Sequence, residues 1–343
     1  MTTAPDAAPD ANTVYIVGGS NSLLTGGWSH QLADLAGPGL RVVNLSVGAA
    51  TTLIGIYRLL AQEVPDGAVI VWEYALNEQN HFCHGQSAET LERHLDWFLE
   101  LCARRSIKVV PLVCWNRAEM DQLDPGAYRR GLDQVLRTRG LQALDLHAGL
   151  IAYAGRKGLP VADFYSDNAH YRLGTGFPRW IAALVHHGLK TARVPLPQAA
   201  FQGLSLVLAL PDRPADGVFS NRVLQAETFG LDQPLRIAAR GRLLCCYLIA
   251  TTSAGAIEVK ADNARVGVYS AQSIKGPGQP ERLMKHLVLW SGAGDCRQVQ
   301  GQIVLRRAGW MTSPQVQNLF AWQRRSGEGP AEAILGVLIE TRV

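Results

Sequence analysis

Four short strings in this chain carry residues able to do acyl-transfer chemistry. They are Gly18-Gly19-Ser20-Asn21-Ser22, Asn44-Leu45-Ser46-Val47-Gly48, Ala75-Leu76-Asn77-Glu78 and Asp167-Asn168-Ala169-His170. In order they supply a hydroxyl, backbone and side-chain N–H donors, a carboxylate and an imidazole, which are the parts of a serine acyl-transfer site. Two glycines before Ser20 let the backbone turn sharply and approach a ligand. At a strand end the Ser20 hydroxyl is exposed and its N–H can donate to an oxyanion, as can the N–H of Gly48 and the side-chain amide of Asn77. Asp167 and His170 are spaced to lie on one side of a turn, so the carboxylate can hold the imidazole tautomer while the other ring nitrogen faces Ser20. Each string also has a plainer reading: a glycine-rich turn whose serine caps a helix, a strand-to-helix turn, a turn-forming Asn, a polar surface loop.

The elements that must position these strings can be read from hydrophobic periodicity. Val14–Val17, Val42–Leu45, Ala68–Tyr74, Ile107–Cys114 and Leu141–Leu146 read as buried strands. Amphipathic stretches alternate with them: Leu23–Leu35, broken near Gly26-Gly27, then Thr51–Gln62, a helix capped by Ser87 with a Leu91, Leu95, Phe98 and Cys102 stripe, one opened by Asp124 with Pro125 at its first position, and Phe177–Leu189. Strands alternating with helices predict a parallel sheet covered on both faces, with chemistry at the carboxyl ends of its strands. Beyond Val194-Pro195-Leu196-Pro197 apolar and alternating strand candidates follow one another: Leu204–Leu210, Arg236–Ala239, Leu243–Thr251, Ala256–Lys260, Val266–Tyr269, Leu287–Leu289, Gln302–Leu305 and Ile334–Ile339. Turn residues such as Gly276-Pro277-Gly278 separate them, predicting an all-β sandwich or jelly roll. The expected division is a leader over residues 1–12, an α/β domain over 13–194 and a β domain over 195–343.

Composition narrows the classes. A chain of 343 residues with 47% hydrophobic content can bury two cores. A formal charge of +4 without a Lys/Arg run argues against nucleic acid. No apolar run is long enough to span a membrane, and Met1–Asn12 lacks the basic and apolar regions of a secretory signal, so a cytoplasmic protein is expected. The six cysteines are scattered, with Cys102 and Cys114 placed as small buried hydrophobes, consistent with a reducing compartment.

The four strings together resemble the SGNH hydrolase superfamily, the GDSL esterases and lipases. Gly18-Gly19-Ser20, Gly48, Ala75-Leu76-Asn77-Glu78 and Asp167-Asn168-Ala169-His170 match its G-D-S, Gly, G-x-N-D and D-x-x-H blocks, over residues 13–190. The resemblance implies a three-layer α/β/α, flavodoxin-like fold with Ser20 as nucleophile, His170 as general base and Asp167 as its orienter. It also implies an oxyanion hole from the Ser20 and Gly48 N–H groups and the Asn77 amide, and no cofactor. Gly19, Asn21, Glu78, Tyr165 and Tyr171, neighbours of those residues in sequence, are the candidate substrate-contacting positions. Gly19 stands where the family has Asp, Ala75 where it has Gly, Glu78 where it has Asp, and Tyr171 where Pro usually follows the histidine; none removes a catalytic atom.

Other constellations compete. Asp145-Leu146-His147 could mimic an Asp–His pair. His81 and His84 could ligate metal, but a closed zinc site needs four ligands and no second cluster is evident, so no metal is expected. Glu73 and Glu78 flank Asn77 without the arrangement of a glycosidase acid/base pair. Trp290, Trp310, Phe320 and Trp322 of the β half are candidates to stack on sugar rings, with core packing as the alternative. The expected activity is removal of a small acyl group, acetyl, from a carbohydrate ester. The alternatives are an O-acyltransferase using the same site, and an inactive glycan-binding or assembly module. The oligomeric state is not readable from the sequence.

Overall fold

The computed structural model describes residues 12–122, 124–274, 281–289, 297–309, 313–318, 320–323 and 331–343. The expected leader, apart from Asn12, falls outside these residues, as do Trp290, Cys296, Trp310 and the Gly276-Pro277-Gly278 turn.

The chain forms two compact units. The first runs up to Phe82 and again from Leu91 to Ala200; the second takes Cys83–Thr90 and Phe201–Val343. The first unit holds five parallel strands, β1 (Thr13–Gly18), β2 (Arg41–Asn44), β3 (Val69–Glu73), β4 (Lys108–Val113) and β5 (Leu144–Asp145), in the order β2-β1-β3-β4-β5. This is the flavodoxin-like order, and its direction reverses at β1, where such sheets bind ligands. β1, β3 and β4 are near-continuous apolar runs because helices cover both faces; Ile16, Val17, Ile70, Val71, Trp72 and Leu112 are buried.

Among the described residues seven α-helices connect and cover the sheet: α1 (Trp28–Ala36), α2 (Thr52–Leu60), α3 (Ala75–Cys83), α4 (Ala88–Arg104), α5 (Gly126–Thr138), α6 (Leu146–Lys157) and α7 (Phe177–Leu189). α1 packs on α7, and α2 meets α4 where Gly55 leaves room for the Phe98 ring. The predicted α4 stripe of Leu91, Leu95, Phe98 and Cys102 is buried, and the Ser87 hydroxyl accepts from the Thr90 N–H.

Several boundaries differ from expectation, each for a local reason. Ser20–Ser22 forms a 3-10 turn and α1 starts only at Trp28, after Gly26 at φ +75°. Pro125 immediately precedes α5, and the Asp124 carboxylate accepts from Gly126 N–H two residues on. β5 has two residues, because Asp145 accepts from His147 N–H and caps α6 there. α3 and α6 were not expected: the α3 sequence is polar yet buried, and the α6 apolar stripe is narrow. The segment after Val194 stays with the first unit. Leu196 N–H donates to Arg139 O, the Arg139 guanidinium to Leu196 O, and Gln198 N–H to Glu100.

From Leu204 onward the second unit is built of antiparallel strands. Its strands are β6 (Leu204–Ala209), β7 (Gly217–Ser220), β8 (Gln225–Gly230), β9 (Leu235–Ala238), β10 (Gly241–Thr251), β11 (Ala256–Ala261), β12 (Ala264–Ser270), β13 (Arg282–Val288), β14 (Arg297–Val299), β15 (Gln302–Arg307) and β16 (Ala333–Arg342). One sheet runs β13-β10-β16-β8-β7, with β14 on β10 and β6 on β16; the other runs β12-β11-β15-β9. β10 is buried from Leu243 to Ala250, as its unbroken apolar run requires. β7, β8 and β14 carry too many polar or exposed residues to stand out as strands. Phe320 is buried in this unit, so it offers no stacking face.

Candidate active site

The site is assembled where β1, β2 and β3 end. Gly18 pairs with Glu73 across β1 and β3, and Ile16 pairs with Asn44 across β1 and β2. The loop after β1 therefore lies over Glu73 and beside Asn44. The Ser22 hydroxyl donates to Glu73 Oε2 at 2.6 Å and Gly19 N–H to the same oxygen at 3.1 Å. Asn44 Nδ2 donates to Ser22 O, while Asn44 Oδ1 accepts from Ser46 N–H. Asn44 thus ties the loop bearing Ser20 to the loop bearing Gly48.

Ser20 Oγ lies 2.8 Å from His170 Nε2, and His170 Nδ1 lies 2.8 Å from Asp167 Oδ2. With Nδ1–H directed at the carboxylate, Nε2 is the acceptor of the Ser20 proton. Asp167 Oδ1 also accepts from Ala169 and His170 N–H. Partial burial raises the Asp167 pKa, but these hydrogen bonds and the imidazole outweigh it and hold the carboxyl below its ordinary value. Residues Tyr165 and Tyr171 bridge the hairpin that carries Asp167 and His170, and Arg117 N–H and Ala118 N–H bind Asn168 from the loop after β4.

Gly48 and Asn77 close on the same point. A methyl group at Gly48 would stand 3.9 Å from Ser20 Cβ. Asn77, in the first turn of α3, donates through Nδ2 to Ala50 O, which uses one of its two amide hydrogens. That amide lies directly on Gly19: a Cβ there would sit 2.2 Å from Asn77 Nδ2. Gly18 is crowded likewise, by Ser22 Oγ at 2.7 Å and Glu73 Oε2 at 2.8 Å. The Gly19 backbone has φ −91°, open to any residue, so glycine is required here by lack of space. Among the described residues neither Ser20 nor Gly48 N–H donates to a protein acceptor.

Five expected substrate contacts are corrected. Gly19 is buried beneath Asn77 and its N–H is taken by Glu73. Asn21 is 3% exposed, with its amide bound to backbone at residues 169 and 171. Glu78 is wholly buried, accepting from Thr52 N–H and the Tyr128 hydroxyl, so it braces the start of α2. Tyr165 and Tyr171 are buried with their hydroxyls against the Trp115 backbone. The rival Asp145 and His147 pair is structural, Asp145 receiving Trp115 Nε1–H and His147 N–H. Among the described residues no three or more His, Cys, Asp or Glu side chains are grouped to hold a metal, and no helix is long and apolar enough to cross a membrane.

Two polar supports escaped the sequence reading. In the sequence Asn44 stands at the end of a strand and Glu73, flanking Asn77, is a candidate to touch substrate; in the structure Glu73 is buried under the serine loop. The signal was there: a carboxylate closing an otherwise apolar strand has to be satisfied by something, and here it is the serine loop. Burial pushes its pKa up to about 7, against the hydrogen bonds from Ser22 and Gly19 that favour its charged form.

No protein-family model and no curated protein matches the sequence. Solved structures do match. A two-domain esterase active on acetylated mannans, co-crystallised with mannopentaose, has 9% identity and TM-score 0.62, covering 97% of this chain and 92% of that one. A second structure of such an esterase has 9% identity, TM-score 0.61 and coverage of 96% and 91%. An acetyl xylan esterase has 15% identity and TM-score 0.44, covering 52% of this chain and 99% of its own. At such identities the likeness is one of fold: with the two-domain esterase structures this chain shares an α/β unit built on a parallel sheet, followed by a unit of antiparallel sheets.

Proposed function

We propose that this protein is a serine esterase that removes a small acyl group, acetyl, from a carbohydrate ester. The observation that carries the reading is the relay from Ser20 Oγ through the two nitrogens of the His170 ring to Asp167 Oδ2, both hydrogen bonds 2.8 Å, beside two N–H groups that donate to no protein acceptor among the described residues. In the first half-reaction His170 Nε2 takes the Ser20 proton as Oγ bonds to the ester carbonyl carbon. The oxyanion is held by Ser20 N–H, Gly48 N–H and the second Asn77 amide hydrogen. Collapse breaks the bond to the sugar oxygen, which receives the proton from His170 and leaves an acyl-Ser20. Water then attacks, His170 again removing and returning the proton, and the carboxylic acid is released.

The carbohydrate part rests on the likeness in fold, along nearly the whole chain, to an esterase active on acetylated mannans. The test is acetate release from acetylated mannan and from p-nitrophenyl acetate by wild type and Ser20→Ala, with and without an unacetylated glycan. Release to water that vanishes in Ser20→Ala supports the reading. Equal turnover by both proteins removes the serine mechanism, and acetyl transfer to the added glycan in place of acetate release replaces esterase by transferase.

A further inference from the structure

The serine and the histidine come from loops 150 residues apart, and their alignment needs a tie that is not the reacting pair itself. Among the described residues, one other side chain of the Ser20–Ser22 turn reaches the hairpin of His170, and it is Asn21. Its Nδ2 donates to Ala169 O at 2.7 Å and its Oδ1 accepts from Tyr171 N–H at 3.1 Å. These two backbone groups flank His170. In an extended chain the carbonyl before a residue and the N–H after it point to the same side, where a neighbouring strand would bind them. The other edge of the hairpin is already paired, Ser166 N–H on His170 O and Arg172 N–H on Phe164 O.

We infer that Asn21 is a positioning residue: its amide takes the place of a neighbouring strand across residues 169–171 and fixes the His170 imidazole against the Ser20 hydroxyl. The inference rests on the proposed serine mechanism. The planar amide of Asn presents one donor and one acceptor side by side without having to take up a proton. Asp would keep the acceptor for Tyr171 N–H but set a carboxylate oxygen against Ala169 O. Ala would release both. Because Asn21 is buried and adjoins Ser20, any slack enters the Oγ to Nε2 distance directly, and a misplacement of about 1 Å at a reacting pair costs about 10²-fold in rate.

The experiment compares wild type, Asn21→Ala and Asn21→Asp in the full chain, each assayed well below its own melting midpoint. It reads kcat and KM for p-nitrophenyl acetate and the rate of fluorophosphonate labelling at Ser20. The expected result is a fall of about 10²-fold in kcat and in labelling rate for both variants, with KM within about threefold of wild type. Folded variants with kcat and labelling within about threefold of wild type overturn the inference. So does a loss confined to KM, which would make Asn21 a substrate contact, and so does failure of both variants to fold, which would assign Asn21 to stability. Unchanged turnover in Ser20→Ala would instead remove the serine mechanism, so the two failures are told apart.

Discussion

Placing a methyl group on Gly19 is the sharpest perturbation the site offers. The new Cβ would lie 2.2 Å from Asn77 Nδ2, 2.9 Å from its Cγ and 3.0 Å from its Oδ1. Ordinary contact begins near 3.4 Å, so the amide or the serine loop has to give by about 1 Å. Neither is slack. Asn77 is held by Ala50 O, and the loop by Glu73 beneath it. Under the proposed mechanism a displaced amide is a lost oxyanion donor, worth about 10²–10³-fold in kcat, and a displaced loop costs about 10²-fold through the reacting geometry. Gly19→Ala is therefore expected to lower kcat on p-nitrophenyl acetate by about 10²-fold, with an overpacking loss of about 1–3 kcal/mol in stability. The decisive comparison is the double variant. Asn77→Ala removes the obstruction, so Gly19→Ala added to it should leave kcat within about threefold of Asn77→Ala alone. A Gly19→Ala enzyme as active as wild type, or a further hundredfold loss in the double variant, would show that the contact with Asn77 is not what keeps position 19 a glycine. By the same reasoning Gly19→Asp, which restores the G-D-S string, should be less active than the natural sequence.

Further expectations follow from the surroundings of the carboxylates and of Asn44. Burial lifts the Glu73 carboxyl from 4.5 to about 7, so its contribution to stability is complete below about 4.5 and is lost as pH rises through about 7. Glu73→Gln keeps an acceptor for Ser22 and Gly19 but does not titrate. Its melting temperature should gain on wild type between about pH 5 and pH 8, and a difference that stays flat over that range would mean Glu73 titrates as an ordinary carboxyl. Asp167→Asn should lower kcat by about 10³-fold with KM little changed, less than for a buried triad carboxylate, since the Asp167 side chain is 56% exposed. Steady-state kinetics checks this, and a loss below about tenfold would mean that Asp167 does not orient His170. Asn44→Ala frees the Gly48 loop from the serine loop, so kcat should fall about tenfold or more while Ser20 still labels with fluorophosphonate; a fall in labelling equal to that in kcat would place the damage at Ser20 instead.

The fold was legible wherever burial is periodic. The five strand positions of the first unit and the amphipathic α4 follow from apolar runs and stripes, because each element must hide one face or two. α3 was not legible, since Asn77 reads as a turn former; Asn77 and Glu78 are buried because hydrogen bonds, invisible in a one-dimensional pattern, satisfy them inside the domain. Proximity in sequence misled the choice of substrate contacts for the same reason. Asn21 and Tyr171 adjoin Ser20 and His170, but side chains next to a catalytic group in a tight turn point away from it, and these two turn inward to backbone partners. Gly19 reads as a glycine that lets the chain turn sharply toward a ligand. Its dihedrals are unexceptional, and only the position of Asn77, fixed by a helix that was itself unexpected, explains it.

The most direct measurement is peptide mass analysis after exposure to a fluorophosphonate, with wild type and Ser20→Ala side by side. If Ser20 is activated by His170, one phosphonyl adduct forms on the peptide containing Ser20, and none forms in the variant. A wild type that stays unmodified, or an adduct carried elsewhere and retained in Ser20→Ala, would contradict the assignment of Ser20 as nucleophile.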